Sequence, residues 1–463
     1  VDVVVILIAL GILILAAYRG YSVILFAPIA ALLAVLMTHP AHVMPLYSEV
    51  FMGKMVGFIK LYFPVFLLGA LFGKVIELSG FSKSIIQAVI RLVGVKHAML
   101  TIVLVCALLT YGGVSLFVVS FAVYPFAAEM FKQLDIPKRL IPGTIALGAF
   151  TFTMDALPGT PQIQNLIPTT FFNTTSWAAP RMGLLGALFV LVCGLTYLEW
   201  RRKQAKRAGE GYGVKHINEP EAVESASLPH PALAILPLVV VAALNKGLTD
   251  AMPNLFPGTI DLSVMGIAGA SIELSKVSAL WSVEIALVAA IVLVLALSFQ
   301  RVKAKLSLGI NAAVAGAMLA SLNTASEYGF GAIIAALPGF KTLSAALGST
   351  FSHPLVNEAV TTTTLAGVTG SASGGMSIAL AAMSQTYLQQ ASAMGIPPEV
   401  LHRVASMASG GMDTLPHNGA VITLLAVTGL THRQAYGDIF AMTLIKTAAV
   451  FVAIAAYVVF GLY

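Results

Sequence analysis

Charged side chains are scarce in this chain. Asp, Glu, Lys and Arg make up 10% of its 463 residues, against 58% apolar ones. Runs such as 285–299 and 448–463 carry no charge at all. An uncharged apolar stretch of roughly 20 residues crosses a bilayer whose hydrocarbon core is about 30 Å thick. No soluble domain of this length needs so many of them. Cysteine is almost absent: Cys106 and Cys193 both lie in apolar segments and read as small packing residues, which excludes a disulfide framework. No metal or cofactor site is expected. The net charge of +6 is modest and clustered, which argues against a nucleic-acid partner. No basic leader precedes the first apolar run, so 3–17 reads as a retained span rather than a signal peptide.

A short phrase is present twice. Met154-Asp155-Ala156-Leu157-Pro158 returns 258 residues later as Met412-Asp413-Thr414-Leu415-Pro416. Gly112-Gly113-Val114-Ser115 returns as Gly374-Gly375-Met376-Ser377, and Ile136-Pro137 as Ile396-Pro397. Gly80-Phe81 is echoed by Gly339-Phe340, and the four offsets all fall between 258 and 262. Paired apolar segments interrupted by Gly or Pro, at matching places in two halves, are the sequence mark of a secondary transporter's binding site.

The expected fold is an all-α integral membrane protein of two inverted repeats with five spans each. The first repeat, 1–200, has spans near 3–18, 21–38, 55–79 and 182–200. It also holds an inner-side re-entrant hairpin at 98–131 and a broken helix at 139–175. The second repeat, 231–463, has spans near 232–247, 280–299, 307–338 and 437–462, an outer-side hairpin at 352–390 and a broken helix at 399–430. Re-entrant backbone is tolerated at membrane depth where it is buried in protein or lines a wet cavity. The polar linker 201–230 opens with Arg201, Arg202, Lys203, Lys206 and Arg207, which makes it cytoplasmic by the positive-inside rule. Both termini then lie outside, with Arg19, Lys83, Arg139, Arg301, Lys305 and Arg433 inside. Arg181, Lys246 and Arg403 fall singly on the outer side. Five spans per half is an odd number, so the halves are inserted in opposite senses and the two Asp-x-Leu-Pro breaks meet near the midplane.

Two prolines and a glycine, Pro158, Gly159 and Pro161, cannot continue a helix. The helix should stop near Asp155 and restart near Pro161, presenting free N–H groups and a positive dipole end to an anion. Gly159, Thr160, Gln162 and Asn165 are the binding candidates at this break; His417 and Asn418 are those at the second. The hairpin tips add Gly112, Gly113, Ser115, Ser371, Ser373, Gly374 and Gly375, where glycine lets backbone approach a ligand and hydroxyls coordinate it. Asp155, Asp413 and the unduplicated Glu327 are the deep acids. Each costs about 2.5–3.5 kcal/mol to insert, and the functional reason for that cost is to bind a coupling cation or cycle a proton. A structural carboxylate capping its own helix break is the competing reason. His417 titrates near neutrality when unperturbed. None of the central motifs contains Arg or Lys, which suits a small singly charged carboxylate.

Tyr111-Gly112-Gly113-Val114-Ser115, the segment 324–331, the run 370–375 and the paired Asp-x-Leu-Pro segments resemble the gluconate permease (GntP) family of the ion transporter superfamily. The likeness runs over essentially the whole chain. It implies a homodimer in a bacterial inner membrane, with a scaffold domain and an elevator-like transport domain. It also implies proton symport of sugar acids or small hydroxy acids. The neutral Gly/Ser/Thr lining points to a short hydroxy-monocarboxylate resembling 3-hydroxybutyrate. Gluconate uptake, sodium-coupled carboxylate symport and a channel are the alternatives. An intramembrane aspartyl protease needs two carboxylates about 3 Å apart, and no Gly-x-Gly-Asp phrase surrounds either aspartate. No enzyme is expected.

Overall fold

The structure is a computed structural model. It describes residues 2–19, 21–213, 217–220, 228–263, 271–340, 342, 351–369, 371–416 and 418–463. Helices dominate, as the scarcity of polar residues demands: a backbone in lipid must satisfy its own hydrogen bonds. The first half runs α1 (Asp2–Tyr18), α2 (Val23–Thr38), α3 (Gly53–Leu78), α4 (Phe81–Val93), α5 (Ala98–Tyr111), α6 (Leu116–Gln133), α7 (Ile141–Ala149), α8 (Ile163–Phe172) and α9 (Pro180–Arg207). The second runs α10 (Pro231–Leu255), α11 (Leu274–Val302), α12 (Leu306–Ala336), α13 (Pro354–Thr369), α14 (Ala372–Ala393), α15 (Pro398–Gly410), α16 (Gly419–Thr428) and α17 (His432–Phe460). A small antiparallel ribbon, β1 (Thr259–Asp261) with β2 (Ser271–Glu273), precedes α11.

Helices α9, α10, α11, α12 and α17 are each long and apolar enough to cross a membrane, as is α3 with the irregular turns that lead into it from Pro40. In each half a helix pair joined at a Gly/Ser tip, α5–α6 and α13–α14, precedes a broken helix, α7/α8 and α15/α16. One element was not expected. Helix α4 carries Ser82, Lys83, Ser84, Gln87 and Arg91 among its apolar residues, and the chain turns by 103° between it and the helix that follows. Thirteen residues with that many polar groups are too short and too wet to span.

Small residues set the packing between the long helices. A Cβ at Gly309 of α12 would come within 2.7 Å of Leu78 at the end of α3, and one at Gly331 would come within 2.8 Å of Ile378 on α14. Close helix approach through such residues substitutes for the hydrophobic drive that lipid removes. Helix α12 therefore lies along α3 on one side and touches α14 on the other.

The described part of the linker is not a free strand. Asp135 accepts from the Tyr212 amide at 2.8 Å, Arg139 grips Glu210 at 2.6 Å, and Lys138 reaches Glu219 at 2.9 Å. The Arg139 guanidinium holds the Glu210 carboxyl below the usual carboxylate range.

Candidate functional site

The first break begins earlier than the prolines require. Helix α7 ends at Ala149, and Thr151 leaves helical geometry with φ −122° and ψ −128°. The Thr151 hydroxyl donates to the Leu147 carbonyl and Thr153 donates to the Gly148 carbonyl at 2.8 Å. Hydroxyls that satisfy the last carbonyls of a helix release the chain from it. A single turn, Phe152–Asp155, follows, and Pro158, Gly159 (φ +77°) and Pro161 then carry the backbone to Gln162, the residue before α8. The second break is a 3-10 turn, Gly411–Thr414, after α15, with Asn418 capping α16 by accepting from the Ala420 amide at 2.7 Å.

Two hydrogen bonds tie the first hairpin tip to the first break. The Tyr111 hydroxyl donates to the Pro158 carbonyl at 2.9 Å, and Gln162 Nε2 donates to the Thr110 carbonyl at 2.8 Å. The second tip meets the second break where the Ala372 amide donates to Asp413 Oδ1 at 3.4 Å. Gln164 Nε2, in the first turn of α8, donates to Asp413 Oδ2 at 3.0 Å and joins the two breaks directly.

These tips enclose a cavity of about 780 Å³ against α3, α11 and α12. Gly113, Ser115, Gln162, Ser371, Ser373, Asn418, Asp413 and Glu327 stand on its wall. Thr324 and Ser373 face each other there at 3.3 Å, and Glu327 contacts the Ser371 hydroxyl. The wall also includes Asn323, Gln164 and, toward the end formed by Tyr21 and Ala312, Lys74. Lys74 is paired with Glu77 at 3.0 Å and its side chain is 28% exposed, whereas Asp413 is 7% and Glu327 3% exposed. The two acids of the wall are thus buried, whereas its lysine is partly exposed.

The remaining candidates lie behind the wall. A Cβ at Gly112 would run into Leu238, and one at Gly159 into the Trp177 ring, so both are close-approach positions. Thr160 donates to the Thr153 carbonyl at 2.8 Å, and Asn165 Nδ2 donates to the Thr160 and Ser176 carbonyls at 3.0 and 2.8 Å. Their polar atoms hold the break's own backbone. Gly375 lets the two arms of the second hairpin touch at Ala366, and Gly374 leaves room for the Glu327 carboxylate. His417 lies outside the described residues.

Asp155 is also behind the wall, and its setting was not anticipated. Lys446, on α17, approaches Asp155 Oδ2 at 2.7 Å with both side chains almost fully buried. The same ammonium donates to the Phe150 carbonyl at 2.9 Å and to the Gly410 carbonyl. Arg403, counted singly among the outer-side charges, is completely buried on α15. It donates to the carbonyls of Asp155 (2.9 Å) and Ala178 (2.7 Å) and to Asn165 Oδ1 (3.0 Å). Ser406 adds a 2.8 Å bond to the Asp155 carbonyl, and His402 lies 3.2 Å from Asn165. Counting charges by loop gives no sign of this burial, because Arg403 sits in the second turn of a helix. The signal for Lys446 was available: a lone lysine in a long apolar helix is a functional residue by default.

No family model matches the chain. The uncharacterized transporter YxjC of Bacillus subtilis (strain 168) is 62% identical to it over 470 residues, an alignment that covers 100% of either chain. Among solved structures, the YdaH transporter of Alcanivorax borkumensis, described as having an unusual topology, superposes with a TM-score of 0.50. The match covers 92% of this chain and 90% of that one, at 15% identity, a likeness of fold alone.

Proposed function

We propose a substrate class and a coupling ion for a chain that belongs to the family of the Bacillus subtilis transporter YxjC, and that is a multi-pass membrane transport protein rather than an enzyme. The substrate is a small hydroxy-monocarboxylate resembling 3-hydroxybutyrate, and the coupling ion is a proton. The observation that carries this reading is the composition of the cavity wall around the two buried acids. Hydroxyls of Ser371 and Ser373, amides of Gln162, Gln164 and Asn418, and the start of three helices gather there with two carboxylates. Helix N-termini and neutral donors seat one carboxylate group. Among the described residues of the wall, the cation is Lys74, already paired.

An anion placed beside Asp413 and Glu327 is repelled unless those acids are protonated. Loading protons together with the anion removes that repulsion, and releasing both on the other side restores it. The site's electrostatics support symport. The resemblance to the gluconate permease family agrees with this scheme and extends it. The hairpins and broken helices move as one unit against α3 and α12, in a homodimer in the bacterial inner membrane.

Uptake of radiolabelled 3-hydroxybutyrate into proteoliposomes tests the reading, with and without an inward proton gradient and with unlabelled gluconate as competitor. Gradient-driven uptake that gluconate inhibits weakly is the expected result. Strong competition moves the substrate to sugar acids, and gradient-independent flux linear in concentration makes the protein a channel. In a second measurement, cysteine at Ser373 should be shielded from a membrane-permeant thiol reagent by substrate at least about tenfold, as expected for a residue in a site nearly saturated with ligand. Equal labelling with and without substrate removes the second hairpin tip from the site.

A further inference from the structure

The surroundings of Lys446 have the composition of an ion site. Its ammonium is met by one carboxylate oxygen, Asp155 Oδ2 at 2.7 Å, and by two main-chain carbonyls, Phe150 at 2.9 Å and Gly410. Those carbonyls belong to the ends of the two interrupted helices: Phe150 follows the last residue of α7, and Gly410 is the last residue of α15. A helix C-terminus carries about half a negative charge. Two of them and a carboxylate converge on one point, at 2–3% exposure, and require a cation there. Gly410 makes the convergence possible, since a Cβ at that position would overlap the Asp155 carboxylate and come within 2.7 Å of the ammonium. At discontinuous membrane helices, carbonyls of this kind hold sodium. The Lys446 ammonium donates to both carbonyls and pairs by charge with the carboxylate oxygen.

We propose that this is a monovalent-cation site in which Lys446 is the permanent occupant, so that the protein carries its own ion where a sodium-coupled transporter would load one. Lys446 is a positioning residue: it fixes both breaks relative to each other without touching the cavity. The inference rests on the chain being a transporter and is indifferent to which acid it carries. Two consequences follow. The native protein takes no sodium at this point. Lys446→Ala leaves the carboxylate and both carbonyls in place and opens the site to a small cation from solution.

Thermal unfolding of the purified full chain tests this without substrate, so a wrong assignment of the acid does not affect the result. Melting is followed in sodium, lithium, potassium and choline chlorides at equal ionic strength. The wild type should melt at one temperature in all four. Lys446→Ala should melt lower in choline and potassium, and recover at least half of the loss, saturably, in sodium or lithium. Asp155→Asn/Lys446→Met, which lacks both charges, should be folded and indifferent to the salt. A Lys446→Ala protein that elutes as folded and melts alike in all four salts makes the lysine an ordinary ion-pair partner and overturns the proposal. So does a sodium-dependent shift of the wild type that the double variant abolishes, because a free ion would then bind beside the lysine. If Lys446→Ala yields folded protein in neither sodium nor choline while the double variant does, no mobile cation replaces the ammonium and the proposal also fails.

Discussion

Asp155→Asn should lower the stability of the folded protein by about 3–5 kcal/mol, the range for removing one partner of a buried ion pair. The substitution leaves the Lys446 ammonium at 2% exposure with two carbonyls and without its ion-pair partner, Asp413 being a more distant carboxylate. Adding Lys446→Met should return most of the loss, since two neutral side chains of similar volume remove both desolvation penalties. The measurement is the denaturant midpoint of the two single variants and the double variant, read as a cycle. Wild-type stability in Asp155→Asn alone would remove the pair from the fold's energetics. This expectation differs from the one the sequence supports. Read as a motif, Asp155 and Asp413 are equivalent, and either exchange should impair transport in an intact protein. In space they are not equivalent: one is neutralised by a lysine behind the cavity and the other faces the cavity itself.

That asymmetry shows where sequence reasoning reaches its limit here. Both breaks were legible because Pro158, Pro161 and Pro416 have a local, unconditional effect on a helix. The hairpin tips were legible because glycine pairs inside apolar runs have few other uses. Helix α4 was not, because Lys83 and Arg91 dilute its apolar face below what a search for spans detects. Nor was the division of the candidates into cavity wall and support. Gln162 and Asn165 lie three residues apart and look alike, yet Gln162 lines the cavity while Asn165 holds the carbonyls of Thr160 and Ser176. What separates them is the turn at which α8 begins. The Arg403 contacts connect residues 225 and 248 positions apart, and no local pattern encodes such a pairing.

Asp413→Asn should produce the opposite outcome: a protein that folds and fails to accumulate substrate. Asp413 accepts from Gln164 Nε2 at 3.0 Å, from the Ala372 amide at 3.4 Å and from Asn418 Nδ2 at 3.4 Å. An asparagine keeps one acceptor for Ala372 and Asn418 and turns its NH₂ toward Gln164. Gln164 has an answer to this, because its Oε1 is buried without a hydrogen-bond partner, and rotating its amide offers that oxygen to the new donor. The fold should therefore lose only about 0.5–1.5 kcal/mol, the net value of an ordinary hydrogen bond. Transport should suffer far more. The amide imitates the protonated acid and cannot release a proton, so the step that repels the anion after translocation is lost. Charge-assisted bonds of about 1.5–3 kcal/mol gate that step, which corresponds to a fall in net uptake of about 10–100-fold. Exchange of internal for external substrate without a gradient needs no proton release and should persist near the wild-type rate. The two assays therefore separate coupling from binding. Loss of exchange along with accumulation would make Asp413 a binding residue only. Undiminished gradient-driven uptake would shift the proton to Glu327, the other carboxylate on the cavity wall.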